Sequence, residues 1–366
     1  MKKMSLLVTL CLIVGLLAGC AGTPVIYYTD CTCPTGSHEV AAPAEPTPAP
    51  AETEAPALTE GALKTGMFIS TSIKDSVSAT AEAEGEAVYD VTLVAVLVDD
   101  EGIIHDCIID GIKTSVKFDA AGAVTTDLSV APQTKNELGE GYGMVAWGGA
   151  VAEWDAQAAA VAAACVGKHY GDLQGVVVSE SGYAPEGTDL ATSATIYIGG
   201  YVKAIELAAA SAQHLGAQTG DELKLAIING IDSSASATEE KEGTAQLDVN
   251  AAVVTMNGDT ITSCYIDAVQ AKVNFDTTGT VTTDVSTTPS TKNQLGENYG
   301  MVAWGGAIAE WNVQAASFAS YVTGKTAAEV AGIAVDESTH PTDADLATSV
   351  TIAIGGFQGL IAKAAG

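Results

Sequence analysis

The sequence predicts an α+β protein of two tandem homologous domains, each an antiparallel sheet packed with two main helices. Three observations lead there. The stretch 134–154, TKNELGEGYGMVAWGGAVAEW, returns at 291–311 with three substitutions in twenty-one positions. The flanking sequence repeats more loosely at a spacing near 157 residues, too long for a solenoid unit and suited to a duplicated domain. In each copy, β-branched runs separated by turn residues precede alanine-rich segments of helical character. The expected domains are 62–216 and 217–366, each long enough to bury a core of its own.

The chain opens MKKMSLLVTLCLIVGLLAGC. Lys2 and Lys3 give a positive start, and residues 6–17 give an apolar run too short for a comfortable membrane span. The run ends in Leu17-Ala18-Gly19-Cys20, which resembles a bacterial lipobox; an ordinary signal peptide containing a cysteine is the alternative. On the lipobox reading, residues 1–19 are a signal peptide and the Cys20 thiol is lipidated. Two or more acyl chains there anchor a protein stably to the cell membrane on its extracytoplasmic side. Residues 20–61 are rich in alanine, proline and acid, with no apolar period, and are expected to be a disordered tether. Cys31 and Cys33 lie in it, too close for an unstrained bridge to each other, with intermolecular pairing open.

In the first domain, 88–99 and 103–112 read as strands joined by the hairpin signal Asp99-Asp100-Glu101-Gly102. A third strand is expected around 114–119, followed by the turn Ala120-Ala121-Gly122. In the second domain the corresponding runs are 247–256, 261–267 and 272–276, with turns at Asn257-Gly258-Asp259 and Thr277-Thr278-Gly279. The repeated stretch starts as a polar, glycine-rich loop. It then runs into a helix, AVAEWDAQAAAVAAACVGK, stopped at Gly167. Trp147 and Trp154, seven apart, share a face if that helix starts early. The final helices follow DLATSATIYIGG and DLATSVTIAIGG. They are expected to start at the Thr/Ser cluster, so that hydroxyls line the N-terminus. The Gly199-Gly200 and Gly355-Gly356 pairs then fall inside the helix, for which close backbone packing is the reason.

Fifteen lysines stand against forty-five acids, and there is no arginine. A surface this negative repels phosphate backbones and excludes nucleic acid as a partner. An anionic ligand must then be met by lysine, hydroxyls and backbone N–H groups in place of arginine forks. None of the five histidines (His38, His105, His169, His214, His340) has a histidine counterpart in the other copy, which excludes a shared His triad or His metal site. Candidate ligand residues are therefore those the copies share. Thr192, Ser193 and Thr195, with Thr348, Ser349 and Thr351, are read either as an anion-binding helix start or as plain capping. Lys135 and Lys292 are read as cations for a phosphate or as solvated loop lysines. Trp147 and Trp304 are read as stacking surfaces for a flat ring or as core anchors. Cys107 and Cys264, at matching strand positions, read as buried small hydrophobes. No catalytic residue and no metal ligand is expected from these patterns, and the ligand they suit is small, planar and anionic.

The segments 189–195 and 345–351 resemble the signature of the bacterial FMN-binding domain family, in which an acid is followed by Ser-Gly-Ala-Thr and a helix. In this chain Ser193 and Ser349 stand at the motif glycine, and Val350 stands at its alanine in the second copy. The resemblance implies FMN as cofactor, carried at Thr195 and Thr351, and electron transfer by a two-domain lipoprotein on a tether. A non-redox ligand-binding or structural surface protein of the same fold is the alternative. The repeated stretch is similar to one shared by clostridial-type surface lipoproteins of Gram-positive bacteria, which implies a location at the cell surface.

Overall fold

Six strands form two three-stranded antiparallel sheets in a computed structural model that describes residues 61–366. The first sheet has the order β1 (Lys64–Ser72), β2 (Gly85–Val98), β3 (Ile104–Phe118). The second has β4 (Glu222–Gly230), β5 (Gly243–Asn257), β6 (Thr260–Phe275). The signal peptide, the lipidated Cys20, Cys31 and Cys33 lie outside the described residues, as does all of the tether but residue 61.

Both hairpin turns fall where their residues place them, β2 to β3 through Asp99–Gly102 and β5 to β6 through Gly258-Asp259. Two expectations change. The runs 103–112 and 114–119 are one strand, β3, whose pairing continues through Lys113 opposite Asp90; β6 likewise joins the two runs of the second copy. The strands β1 and β4 carry no signal in the sequence reading. Their inward residues include Thr65, Thr71 and Asn229, which break the alternation that would have marked them.

The helices of the first half are α1 (Lys135–Leu138), α2 (Met144–Gly148), α3 (Trp154–Cys165), α4 (Asp189–Ser193) and α5 (Gly199–Ala210). Those of the second half are α6 (Lys292–Leu295), α7 (Met301–Gly305), α8 (Trp311–Val322), α9 (Ala327–Ala331) and α10 (Gly355–Ala365). The layers run helices, sheet, sheet, helices. On β2, Tyr89, Val91, Leu93, Ala95 and Leu97 face the other sheet, while Val94, Val96 and Val98 face α3 and α5. With both faces buried, the end of β2 is apolar at successive residues. The outer cores belong to each half separately, but the inner core is common to the two sheets.

The two sheets meet around an approximate two-fold. Val124 N donates to Ser236 Oγ and Val281 N to Ser78 Oγ, both at 2.9 Å. Ala79 N donates to Gly279 O and Ala237 N to Gly122 O, both at 2.8 Å. Such reciprocity is the signature of an isologous interface, here within one chain. Phe118 and Phe275 stack across it with ring centroids 3.9 Å apart. A Cβ on Gly122 or Gly279 would come within 2.6 Å of the partner turn's carbonyl oxygen, and both have positive φ, so only glycine fits there.

Candidate functional site

The repeated stretch holds one almost fully exposed tryptophan in each copy. Thr134 caps α1 in a capping box with Glu137, as Thr291 caps α6 with Gln294. A buried carboxylate on the neighbouring strand holds each loop down. Asp110 Oδ1 accepts from Gly111 N (2.7 Å) and Asn136 N (3.1 Å); Asp267 Oδ1 accepts from Ala268 N (2.7 Å) and Asn293 N (3.0 Å). Asn136 and Asn293 return a bond from Nδ2 to the strand carbonyls of Ile109 and Ile266. Burial raises both carboxyls, Asp267 to about 6 from the ordinary 3.8, against the lowering effect of these bonds.

A folded-state pKa above the unfolded value means that the folded form holds the proton more tightly. Asp267 therefore favours folding at low pH, and that contribution is lost as pH rises from about 4 through about 6. The loss is about 3 kcal/mol for a shift of this size. In urea denaturation, Asp267→Asn is expected to flatten the stability profile over that window. Parallel profiles for the two proteins would show that the carboxylate is not held as described.

Lys135 is buried beneath the loop. Its Nζ lies 4.8 Å from the Trp154 ring centroid, 5.7 Å from that of Tyr142 and 3.8 Å from Asp90 Oδ1. Lys292 Nζ sits 4.8 Å from Trp311 and 4.9 Å from Tyr299. Each lysine thus rests on aromatic faces of its own half. Burial lowers the Lys135 pKa, with Asp90 opposing.

The tryptophans divide by role. Trp154 and Trp311 are buried core anchors at the first positions of α3 and α8. Trp147 and Trp304 are 91% and 90% exposed. They belong to the separate short helices α2 and α7, so the shared face expected for Trp147 and Trp154 does not form. Glu153 binds the start of α2 through Met144 N (2.8 Å) and Val145 N (3.0 Å), and Glu310 binds Met301 N and Val302 N at the same distances.

The threonine segments differ most from expectation. Thr192 and Ser193 end the short helix α4, and their hydroxyls donate back to Asp189 O at 2.7 and 3.1 Å. Thr348 donates to Asp345 O and Ser349 to Leu346 O in a single 3-10 turn. Such local bonds satisfy the hydroxyls without a longer helix. The main helices start later, at Gly199 and Gly355, with no side-chain cap, so no hydroxyl row lines their N-termini. The glycine pairs open these helices rather than interrupt them. Thr195 and Thr351 sit in the connectors. Each binds a buried glutamine of the other main helix: Gln157 Oε1 accepts from Thr195 N (2.9 Å), Thr195 Oγ1 (3.4 Å) and Ile196 N (3.3 Å). Gln314 does the same for Thr351 and Ile352. Sequence reasoning missed these glutamines. Their signal was a shared polar residue on the buried stripe of an alanine-rich helix.

In the first half, three of these local structures border one groove of about 570 Å³ between α5 and the outer face of β1 and β2. Phe68, Tyr197 and Tyr201 supply aromatic wall, and Lys74, Lys203, Asp75 and Asp90 supply charge. Asp90 is the carboxylate beside Lys135, and the Tyr201 hydroxyl accepts from Trp154 Nε1 at 3.1 Å. Tyr197 follows Thr195 by two residues and meets Tyr183 edge-on at 5.7 Å. Nothing crowds Gly200 at the helix start. Trp147, 91% exposed, is not among the residues that line the groove. In the second half the matching positions carry Ala353, Phe357, Gly359 and Lys363, and Ile228 comes within 3.1 Å of a Cβ on Gly359.

Cys107 and Cys264 are buried with raised thiol pKa values, Cys264 at about 12, because burial disfavours the thiolate. Among the described residues no group of three or more His, Cys, Asp or Glu is placed to hold a metal ion, and no helix is long and apolar enough to cross a membrane. Compared with models of protein families, with curated proteins and with solved structures, the chain matches none.

Proposed function

We propose that this is a binding protein of the cell surface, lipid-anchored through Cys20, whose two homologous halves arose by duplication and whose first half receives a flat ligand carrying an anionic group. The groove carries this reading. Its aromatic wall suits a planar ring, and Lys74, Lys203 and the open start of α5 suit a phosphate or carboxylate substituent. Its volume is within the usual range for small-molecule sites. A flavin such as FMN meets these demands, with Thr195 beside the groove rather than within it.

Titration of purified protein with FMN and with riboflavin, followed by flavin fluorescence, tests the reading. FMN is expected to bind and riboflavin to bind more weakly, since it lacks the phosphate. Tyr197→Ala should weaken FMN by about threefold to tenfold, the loss of one stacking contact. Unchanged flavin fluorescence at all concentrations would remove the flavin from the proposal. Visible colour that survives denaturation and is lost in Thr195→Ala would instead show a covalent flavin.

A second reading has its own observation. Trp147 and Trp304 each stand on an uncharged run, 141–152 and 298–309, with Val145, Val151, Val302 and Ile308 also exposed. Two such apolar tips favour a docking role at the surface that needs no redox cofactor. Trp147→Ala with Trp304→Ala is expected to leave stability within about 0.5 kcal/mol while abolishing attachment to cell-wall material. Unchanged attachment would reject this second reading.

A further inference from the structure

The two exposed tips of the repeated stretch suit a surface that offers no specific hydrogen bonds. Each tip is a short helix, α2 or α7, within an uncharged run, in a chain of net charge -30. Val145, Trp147 and Val151 stand exposed on one; Val302, Trp304 and Ile308 stand exposed on the other. From 143 to 152 and from 300 to 309 the indole N–H is the only strong side-chain donor, and no side-chain oxygen is present. The ring edge rests on bare backbone. A Cβ on Gly143 would lie 3.1 Å from Trp147 Cδ1, and one on Gly300 closer still to Trp304 Cδ1.

The backbone of each tip is already bonded. Met144 N and Val145 N donate to Glu153, Trp147 N to Gly143 O (3.1 Å), Gly149 N to Val145 O (3.2 Å) and Ala150 N to Met144 O (3.1 Å). The second tip repeats the pattern, with Met301 and Val302 on Glu310, Trp304 on Gly300, Gly306 on Val302 and Ala307 on Met301. A segment that leaves water needs its amides satisfied internally, and in both copies these are. Other partners fit less well. A sugar is held by polar groups placed beside the aromatic ring, and the tips carry none. A protein interface of ordinary size uses about 20–30 residues a side. Each tip exposes three large apolar side chains. The headgroup layer of a membrane asks only for apolar bulk and an amphipathic ring at its boundary, which tryptophan supplies.

We propose that the Trp147 and Trp304 tips insert into the headgroup layer of an uncharged lipid surface. The inference rests on the docking reading of these tips and names their partner. The lipid is uncharged because the net charge of the chain repels an anionic one.

Sedimentation with phosphatidylcholine vesicles tests it, using residues 61–366, which contain both sheets and all three cores and lack the apolar run at 6–17. Binding is expected, with a blue shift of tryptophan emission and quenching by brominated acyl chains. Vesicles containing phosphatidylglycerol are expected to bind less at low salt. Trp147→Ala with Trp304→Ala should weaken binding by at least about tenfold, the loss of two large apolar side chains. Val151→Asp with Ile308→Asp should do the same with both indoles in place. All four residues are exposed, so the melting temperature should hold in both variants. No vesicle binding, binding without bromine quenching, tighter binding to phosphatidylglycerol, or full binding by both variants would each overturn the lipid assignment. If the tryptophan variant then still loses attachment to cell-wall material, the docking reading stands without a lipid partner; if it keeps that attachment, both fall.

Discussion

Residues 61–216, expressed without the second half, will not persist as a folded monomer. The outer core of that half is complete, because α3 and α5 cover one face of its sheet. The other face is not. Tyr89, Leu93, Leu97, Ile112 and Phe118 are fully buried, and on that face they are packed against the second sheet. Exposing five large side chains costs on the order of 10 kcal/mol, as much as the whole stability of a typical domain. The interface offers one escape. Because it is isologous, one half can meet a second copy of itself in the same arrangement. Light scattering and urea denaturation of the fragment are expected to show a dimer or an unfolded chain. A monomer with cooperative unfolding and native-like stability would mean that the inner core contributes little.

Gln157→Ala and Gln314→Ala should be the most damaging single polar substitutions. Each glutamine is fully buried, accepts two backbone N–H groups and a threonine hydroxyl, and donates from Nε2 to a backbone carbonyl, Ala152 O or Ala309 O, at 2.8 Å. These bonds tie the start of one main helix to the connector that leads into the other. Truncation leaves backbone donors unpaired at a buried site, at a cost of about 1–3 kcal/mol for each group that water does not reach. A loss of about 3 kcal/mol is expected in either half. Faster hydrogen exchange should be seen at Thr195 and Ile196, or at Thr351 and Ile352. Thr195→Val tests the division of labour: it keeps the backbone bonds and removes only a long hydroxyl contact, so its effect should be below about 1 kcal/mol. If Gln157→Ala is as mild as Thr195→Val, the glutamine is not a clamp.

The repeat, both hairpins, the Gly122 and Gly279 turns and the stop of α3 at Gly167 were all legible, because each rests on residues a few positions apart. Local chemistry sets a turn: Asn257-Gly258 makes a hairpin whatever packs against it. The strands β1 and β4 were not legible. Their inward threonines and asparagine are tolerated by the opposite sheet, as where Thr65 Oγ1 meets Ser263 Oγ at 2.7 Å across 198 residues of chain. The structural roles of the shared residues were not legible. Lys135 rests on Trp154 and Thr195 on Gln157, both of α3. The groove they border is lined instead by Phe68, Tyr197 and Tyr201, which the second half does not share. A search confined to shared residues passes over them.

By itself the sequence determined that the stretch 134–154 recurs at 291–311, that the chain is strongly acidic without arginine, and where it turns. Only the tertiary structure decided which tryptophan of each pair is core and which stands in solvent, and that two sheets from distant halves close a common interior. The reason is physical. Turns and caps are settled by neighbours along the chain, whereas burial depends on what the rest of the chain brings to the opposite face, and identical residues seven positions apart meet different surroundings.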